Sequence, residues 1–538
     1  MTRLQALLSD VYSRFRPAAS YRVVRWLFPR LLAGIYVIAF LSWEVQLDGL
    51  CGEEGILPTG RLMENIQKYE EVEETSLFWS YPSLYHWQYS DALAHGLCWA
   101  GVCLSLLVIA GVLQGPLLLA LWFGYLSIAS TGEIFMGYQW DALLLEAGLL
   151  AVLLAPWRWW TWRLPARHSS PPKGSVFLLH FLLFRLMFLS GYVKIAGGDN
   201  VWEDMSALRY HFETQPLPNM LAWWMHQLPD WALAWSCRGM YGIELLLPFA
   251  IFLGRWGRMS ACAGFSLLMV AIFATGNYNF FNLLTVALAL ALLDDSWWPQ
   301  SLKRRLVKES RGEAEPRWHW RHWPAMLVAG PALLLSLLAA DGFLAGRIPG
   351  WKAKLPVEWQ ASLYAPVQGL RSFNAYGLFQ DMTEERPEIV IEVSDDGYRW
   401  LELEFPWKPG DLKRRPGQVA PHQPRLDWQM WFAALYPGFQ PNRDAQPGSP
   451  LFWFGEFLGG LAQGKQPVWD LMEPPPMPMD DIREIRAVLY QYRFTDMATR
   501  LQTGEWWTRE WKGGYSPIFK ITPPAQREAA AESGQDAP

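Results

Sequence analysis

The sequence predicts a polytopic α-helical membrane bundle of about nine transmembrane helices, followed by a mainly β, α+β soluble domain on the extracytoplasmic side. Three observations carry that reading. Long apolar runs recur from residue 28 to about 345 and then stop, and runs of that kind are membrane-helix candidates. From about 346 onward the chain is rich in Pro, Trp and charge. Lys and Arg collect on alternate connections between the runs, the pattern that orients membrane proteins. The 538 residues are 51% hydrophobic and include 33 Trp, with a formal net charge of −5. No basic run is dense enough for a nucleic-acid partner.

Residues 1–27 carry Arg3, Arg14, Arg16, Arg22 and Arg25. They lack a compact apolar core with a small-residue cleavage site, so they are expected to form a cytosolic arm rather than a signal peptide. Leu4, Leu7, Leu8, Val11 and Phe15 fall at helical spacing. That spacing fits an amphipathic helix on the membrane surface or a solvated helix packed on the bundle. The expected spans within 28–345 are 28–47, 91–113, 116–131, 140–156, 174–192, 233–253, 259–275, 280–294 and 324–345. Gln114-Gly115-Pro116 between the second and third reads as a tight helical hairpin. The basic loops 157–173 and 295–323, with Arg255 and Arg258, fall on one side. The acidic loop 48–90 falls on the other. An odd number of spans with a cytosolic N-terminus places 346–538 in a periplasm or an ER lumen.

In the domain 346–523, Glu388–Val393 and Trp400–Phe405 alternate on either side of Asp395-Asp396-Gly397, a hairpin with an Asp-Gly turn. Ile485–Phe494 is a further strand candidate, and Leu426–Leu435 and Phe452–Ala462 read as helices. The tail 524–538 is expected to be disordered.

Several blocks resemble the lipase maturation factor family. They are Gly137–Glu146 (GYQWDALLLE), Tyr210–Pro218 (YHFETQPLP), His226–Trp231 (HQLPDW), Gly276–Thr285 (GNYNFFNLLT) and Ala420–Leu435 (APHQPRLDWQMWFAAL). The resemblance implies a polytopic membrane protein that helps a secreted lipase-like client reach its active form, in the ER membrane for eukaryotic relatives. Short inter-span loops and the lack of ER retrieval signals point instead to a bacterial inner (plasma) membrane. A shorter block, Ser190-Gly191-Tyr192-Val193-Lys194-Ile195 followed by Trp202, resembles the Gly-x-x-Lys segment of the vitamin K-dependent γ-glutamyl carboxylase family. That resemblance implies shared membrane architecture, and Lys194 matches one of the family's two adjacent lysines.

Asp141, Glu146, Arg185 and Glu244 form the expected intramembrane polar cluster. An isolated charge in hydrocarbon costs at least ~2.5 kcal/mol on insertion scales, so each needs a partner. Glu146 and Arg185 sit at matched depth on runs of opposite direction, which makes them a pair that either pins two helices or lines a polar cavity. Glu244 is the most central acid. His180 reads as a hydrogen-bonded core residue, and Asn277, Asn279 and Asn282 as caps at an outer helix end.

Loop 194–231 interleaves Lys194, Asp199, Glu203, Asp204, Arg209, His211, Glu213, His226 and Asp230 with Trp202, Trp223, Trp224 and Trp231. It is either an outward functional surface or an interfacial segment capping the bundle. Lys194 and His211 are candidate catalytic base and acid if the chain is an enzyme. Arg209, Trp223, Trp224, His422, Arg425, Asp427, Trp428 and Trp431 are candidates for docking a client or the second domain, with Asp427 a candidate helix N-cap.

The sequence contains no His-Glu-x-x-His, Cys-x-x-Cys, Gly-x-Ser-x-Gly or phosphate-cradling Gly-Lys-Ser/Thr motif, so no metal site is expected. No cofactor is predicted, although a bound lipid or quinone would fit a membrane cavity. Cys51 and Cys237 both fall near the outer face, which leaves a bridge between them open. The expected partners are the lipid bilayer and a secreted client such as a lipase. A membrane folding factor and an intramembrane enzyme both remain open.

Overall fold

The computed structural model describes residues 20–164, 170–306 and 323–521. Most of the N-terminal arm, parts of the two basic loops and the tail lie outside the described residues, and the surface-helix and tail expectations fall there.

The apolar runs become nine helices: α1 (Arg22–Glu44), α2 (Asp91–Ala110), α3 (Gln114–Thr131), α4 (Gln139–Leu154), α5 (Lys173–Ala196), α6 (Asp230–Tyr241), α7 (Gly254–Thr275), α8 (Phe281–Leu290) and α9 (Trp323–Arg347). Among the described residues five are long and apolar enough to cross a membrane: α1, α2, α5, α7 and the Leu327–Arg347 part of α9. α4 and α8 have 16 and 10 residues, and α6 is broken. It gives way at Gly242–Leu246 to a π-helical turn and resumes as Leu247–Ala250. Pro248 has no N–H to close an intrahelical bond, and a π turn absorbs such a break.

α1 begins before its apolar run because Asp295 caps it from a distant connection. That carboxylate accepts the backbone N–H groups of Arg22 and Val23 at 3.1 and 2.9 Å and the Ser20 hydroxyl at 2.5 Å. An acid at a helix N-terminus satisfies orphan donors and opposes the helix dipole.

α4 packs against α1, α3 and α5 and is buried along most of its length, Asp141 and Glu146 included. α5 is the central post. α7 and α9 stand at the periphery, with Leu267 and Val270 of α7 exposed. His180 bonds the Ala291 carbonyl across the bundle at 3.1 Å.

The C-terminal half holds an antiparallel sheet of β1 (Arg386–Ser394), β2 (Leu401–Leu403), β3 (Glu484–Phe494), β4 (Trp507–Gly514) and β5 (Phe519–Lys520), in the order β2-β1-β3-β4 with β5 also on β3. The β1–β2 turn follows from its residues. Gly397 takes φ +74°, and the Asp396 side chain accepts the N–H groups of Tyr398 and Arg399, each at 2.8 Å. Two helices, α10 (Arg425–Ala434) and α11 (Phe452–Ala462), accompany the sheet.

The two halves share one core. A single apolar cluster runs from Phe28, Tyr36 and Leu143 in the bundle to Ile389, Trp428 and Phe457 beyond it.

Candidate functional site

The seam between the halves is built from charge as well as apolar surface. Arg425, in the first turn of α10, enters the mouth of the bundle and is 1% exposed. Its two terminal nitrogens donate to the two oxygens of Asp141, each at 2.9 Å, and one also donates to the Phe135 carbonyl. Tyr125 adds a hydroxyl donation to Asp141 at 2.5 Å. A two-pronged arginine–carboxylate contact is the geometry that best repays burying both charges.

Glu146 is completed in the same way from the other half. Arg185 donates to one of its oxygens and to the Asn374 carbonyl. The other oxygen accepts the Tyr376 hydroxyl at 2.7 Å and the Asn374 N–H at 3.2 Å. The four expected intramembrane residues therefore form no single cluster: Asp141 pairs with Arg425, Glu146 with Arg185, and Glu244 with Lys194.

Polar side chains stitch the rest of the seam. Asn277 accepts the N–H groups of Val419 and Ala420 at 2.8 and 2.9 Å and donates to the carbonyls of Leu217 and Gly417. Gln423 accepts from Trp140 and Asn279. Asn282 instead donates to the Met269 carbonyl inside the bundle.

His422 bonds the Ser42 hydroxyl at 2.9 Å, and burial, aided by the nearby Arg425, pulls its pKa from 6.5 down to about 4. The unfolded chain therefore takes up a proton that the folded one refuses. The stability this site contributes is present above pH 6.5 and lost as pH falls toward 4. His422→Gln is expected to reduce the loss of thermal stability between neutral and mildly acidic pH by about 1 kcal/mol, read from melting curves at the two pH values.

Asp427 is not the N-cap of α10; Pro424 occupies that position. The Asp427 carboxylate faces inward and accepts the N–H groups of Trp407 and Lys408 at 2.9 and 2.8 Å. Burial pushes its pKa up to about 6.

Loop 194–231 serves the seam too. Trp223, 1% exposed, inserts among Tyr492, Phe494, Trp506 and Trp507. Glu213 accepts the Phe494 N–H at 2.7 Å. Arg386 donates to the carbonyls of Glu213, Gln215 and Pro216 at 2.5–2.9 Å. Trp224 and Trp231 are exposed, and Arg209 forms a solvent-facing pair with Asp230.

Under the seam lies a cavity of about 450 Å³. Its walls hold Lys194, Glu244 and His211 together with Trp428 and Trp431. The Lys194 ammonium donates to Glu244 at 2.7 Å, and both are buried. Glu244 sits in the π turn that interrupts α6. Burial, with Lys194 nearby, lowers the His211 pKa to about 4 and keeps the ring neutral. Trp431 closes the rim by donating to the Thr214 carbonyl at 2.8 Å.

Among the described residues no group of His, Cys, Asp and Glu converges as a metal site. Cys51 and Cys237 are both buried free thiols rather than a bridge.

Asn374, Tyr376, Gln423 and Arg386 escaped the sequence reading. Their partners lie across the boundary between the two expected domains, and no local spacing marks them.

The lipase maturation factor transmembrane domain matches residues 23–300, and the lipase maturation factor C-terminal domain matches 372–517. The chain belongs to the lipase maturation factor family. It is 33% identical to lipase maturation factor 2 of Homo sapiens, over 94% of this chain and 84% of that protein. Against lipase maturation factor 1 of Bos taurus the identity is 30%, over 93% and 89%. No solved structure matches. In lipase maturation factor terms, the contacts of Asp141 and of Glu146 form two latches that each join the two matched domains. Asp141 and Glu146 fall in the first, and Arg425, Asn374 and Tyr376 in the second.

Proposed function

We propose that the chain is a membrane-embedded maturation factor that assists a secreted, lipase-like client on the extracytoplasmic side. The observation that carries this reading is family membership across both halves. In the proposed topology α1 to α9 cross the membrane nine times. The N-terminus is cytosolic and 346–523 is periplasmic, in a bacterial inner membrane. The alternating basic connections support that orientation. The short connections between helices support the bacterial assignment. Trp224, Trp231 and the Arg209–Asp230 pair are the proposed client-facing surface, since they stay exposed once the seam has taken Trp223.

The test is secreted lipase activity per unit of lipase protein in cells with and without the chain. Loss on deletion and restoration by the wild-type chain are expected; unchanged activity would overturn the reading. Arg209→Glu should lower that activity without undocking the halves. Removing 346–538 is a poor substitute, because it strands Asp141 without Arg425 and strips Glu146 of Tyr376 and Asn374.

A second reading is an intramembrane enzyme of carboxylase-like architecture, acting on a lipid, quinone or peptide with Lys194 as base. The favouring observation is that Lys194 and His211 line one cavity. Weighing against it, the Lys194 ammonium is already engaged by Glu244. The double variant Lys194→Met, Glu244→Gln removes both charges and strands neither. Under the first reading it should leave lipase maturation unchanged. Lost maturation with the halves still docked would favour the enzyme.

A further inference from the structure

We propose that the cavity beneath the seam binds a single-chain amphiphile with an uncharged, hydrogen-bonding head, of the monoacylglycerol class. The volume is the first argument. About 450 Å³ lies within the range of small-molecule sites, ~300–1,000 Å³. One acyl chain and a small head can be enclosed in that volume, and a two-chain phospholipid cannot be enclosed whole.

The lining is the second argument. Met187 of α5, Met269 and Ile272 of α7, Phe379 and Phe432 give one part of the wall an apolar, deformable surface. Methionine suits an irregular, flexible chain because its thioether stem repacks easily. The opposite face of α7 carries Leu267 and Val270, exposed at 66% and 61%. The helix that walls the cavity therefore also presents an apolar flank to the bilayer.

The charge balance is the third argument, and it selects the head. Lys194 and Glu244 neutralise each other at 2.7 Å. Arg347 and Asp381 line the cavity as one charge of each sign. A carboxylate or phosphate head would set an unmatched charge against the buried, mutually neutralised Lys194–Glu244 pair, at a cost of several kcal/mol. A glycerol hydroxyl needs only donors and acceptors, and the site supplies them. Lys194 has further N–H groups beyond the one given to Glu244. Tyr278 donates its hydroxyl to Gln215 at 2.8 Å beside the His211 ring. Tyr138 and Gln380 line the cavity, and the buried Gln380 side-chain oxygen has no hydrogen-bond partner among the described residues.

The proposal is independent of the client. A chain that matures a lipase yet binds no amphiphile would overturn it alone.

The experiment uses the full chain in nanodiscs with a palmitoyl monoacylglycerol bearing a photoreactive diazirine in its chain. Labelling is expected on peptides containing Met187, Met269 or Phe379. Unlabelled monoacylglycerol should compete, and palmitate and phosphatidylglycerol should not. Met269→Trp should lower labelling of the remaining cavity peptides by about tenfold, the scale set by forcing an indole into a lined pocket. Should that variant fail to fold, lipid extraction from the purified wild-type chain decides: near-stoichiometric monoacylglycerol supports the site, and its absence overturns it. Labelling confined to bilayer-facing peptides with Leu267 or Val270, or equal competition by palmitate or phospholipid, would also overturn it.

Discussion

Arg425→Ala is expected to destabilise the chain by about 3–5 kcal/mol, because it leaves Asp141 charged and buried with only the Tyr125 hydroxyl for company. The penalty falls on the joint between the halves. The first measurable sign should be protease release of the C-terminal half from detergent-purified protein at temperatures where the wild type stays intact. Arg425→Lys should rescue little. An ammonium is a point donor and cannot reproduce the two 2.9 Å contacts to Asp141 plus the Phe135 carbonyl. The double variant Asp141→Leu, Arg425→Met should be markedly milder than either single change, since it removes both charges together. A double variant as damaging as the sum of the singles would mean that the pair is not the source of the loss.

Trp223→Ala should cost a similar amount, about 3–5 kcal/mol, by emptying a buried aromatic site. The indole packs edge-on to Trp506 with ring centres 5.4 Å apart and donates to Thr495 at 3.3 Å. Its sequence neighbour is the control. Trp224 is 46% exposed, and Trp224→Ala should change thermal stability by no more than about 0.5 kcal/mol. Equal melting temperatures for the two variants would contradict the placement of Trp223 in the seam.

The contrast between these neighbours shows where sequence reasoning runs out. Adjacent tryptophans in one polar loop look alike, and only the partner surface tells them apart. The Glu146–Arg185 contact was legible because both residues sit on apolar runs whose directions fix their depth. The β1–β2 hairpin was legible because Asp396 and Gly397 carry their own turn chemistry. The Arg425–Asp141 contact spans 284 positions and was not legible. A reading that separates the chain by composition into a bundle and an outer domain looks for partners within each part. Asp427 misled for a local reason: an acid in the first turn of a helix usually caps it, and here the inward turn of the side chain gave it to Trp407 and Lys408 instead. The break in α6 was masked by an apolar run that continues through it, although Pro248 marked the place.

The latch also sets the order of events at the ribosome. The acidic side chains of α4 emerge and must be housed long before Tyr376 and Arg425 have been synthesised. During that interval the nascent bundle holds Asp141 without its guanidinium and Glu146 with Arg185 alone, so its interior polarity is settled only once the second half has been made. A product that stops short keeps that defect permanently. An acid without its counter-ion in a helix interior is costly, so a truncated chain is expected to hold a less stable bundle than the full one.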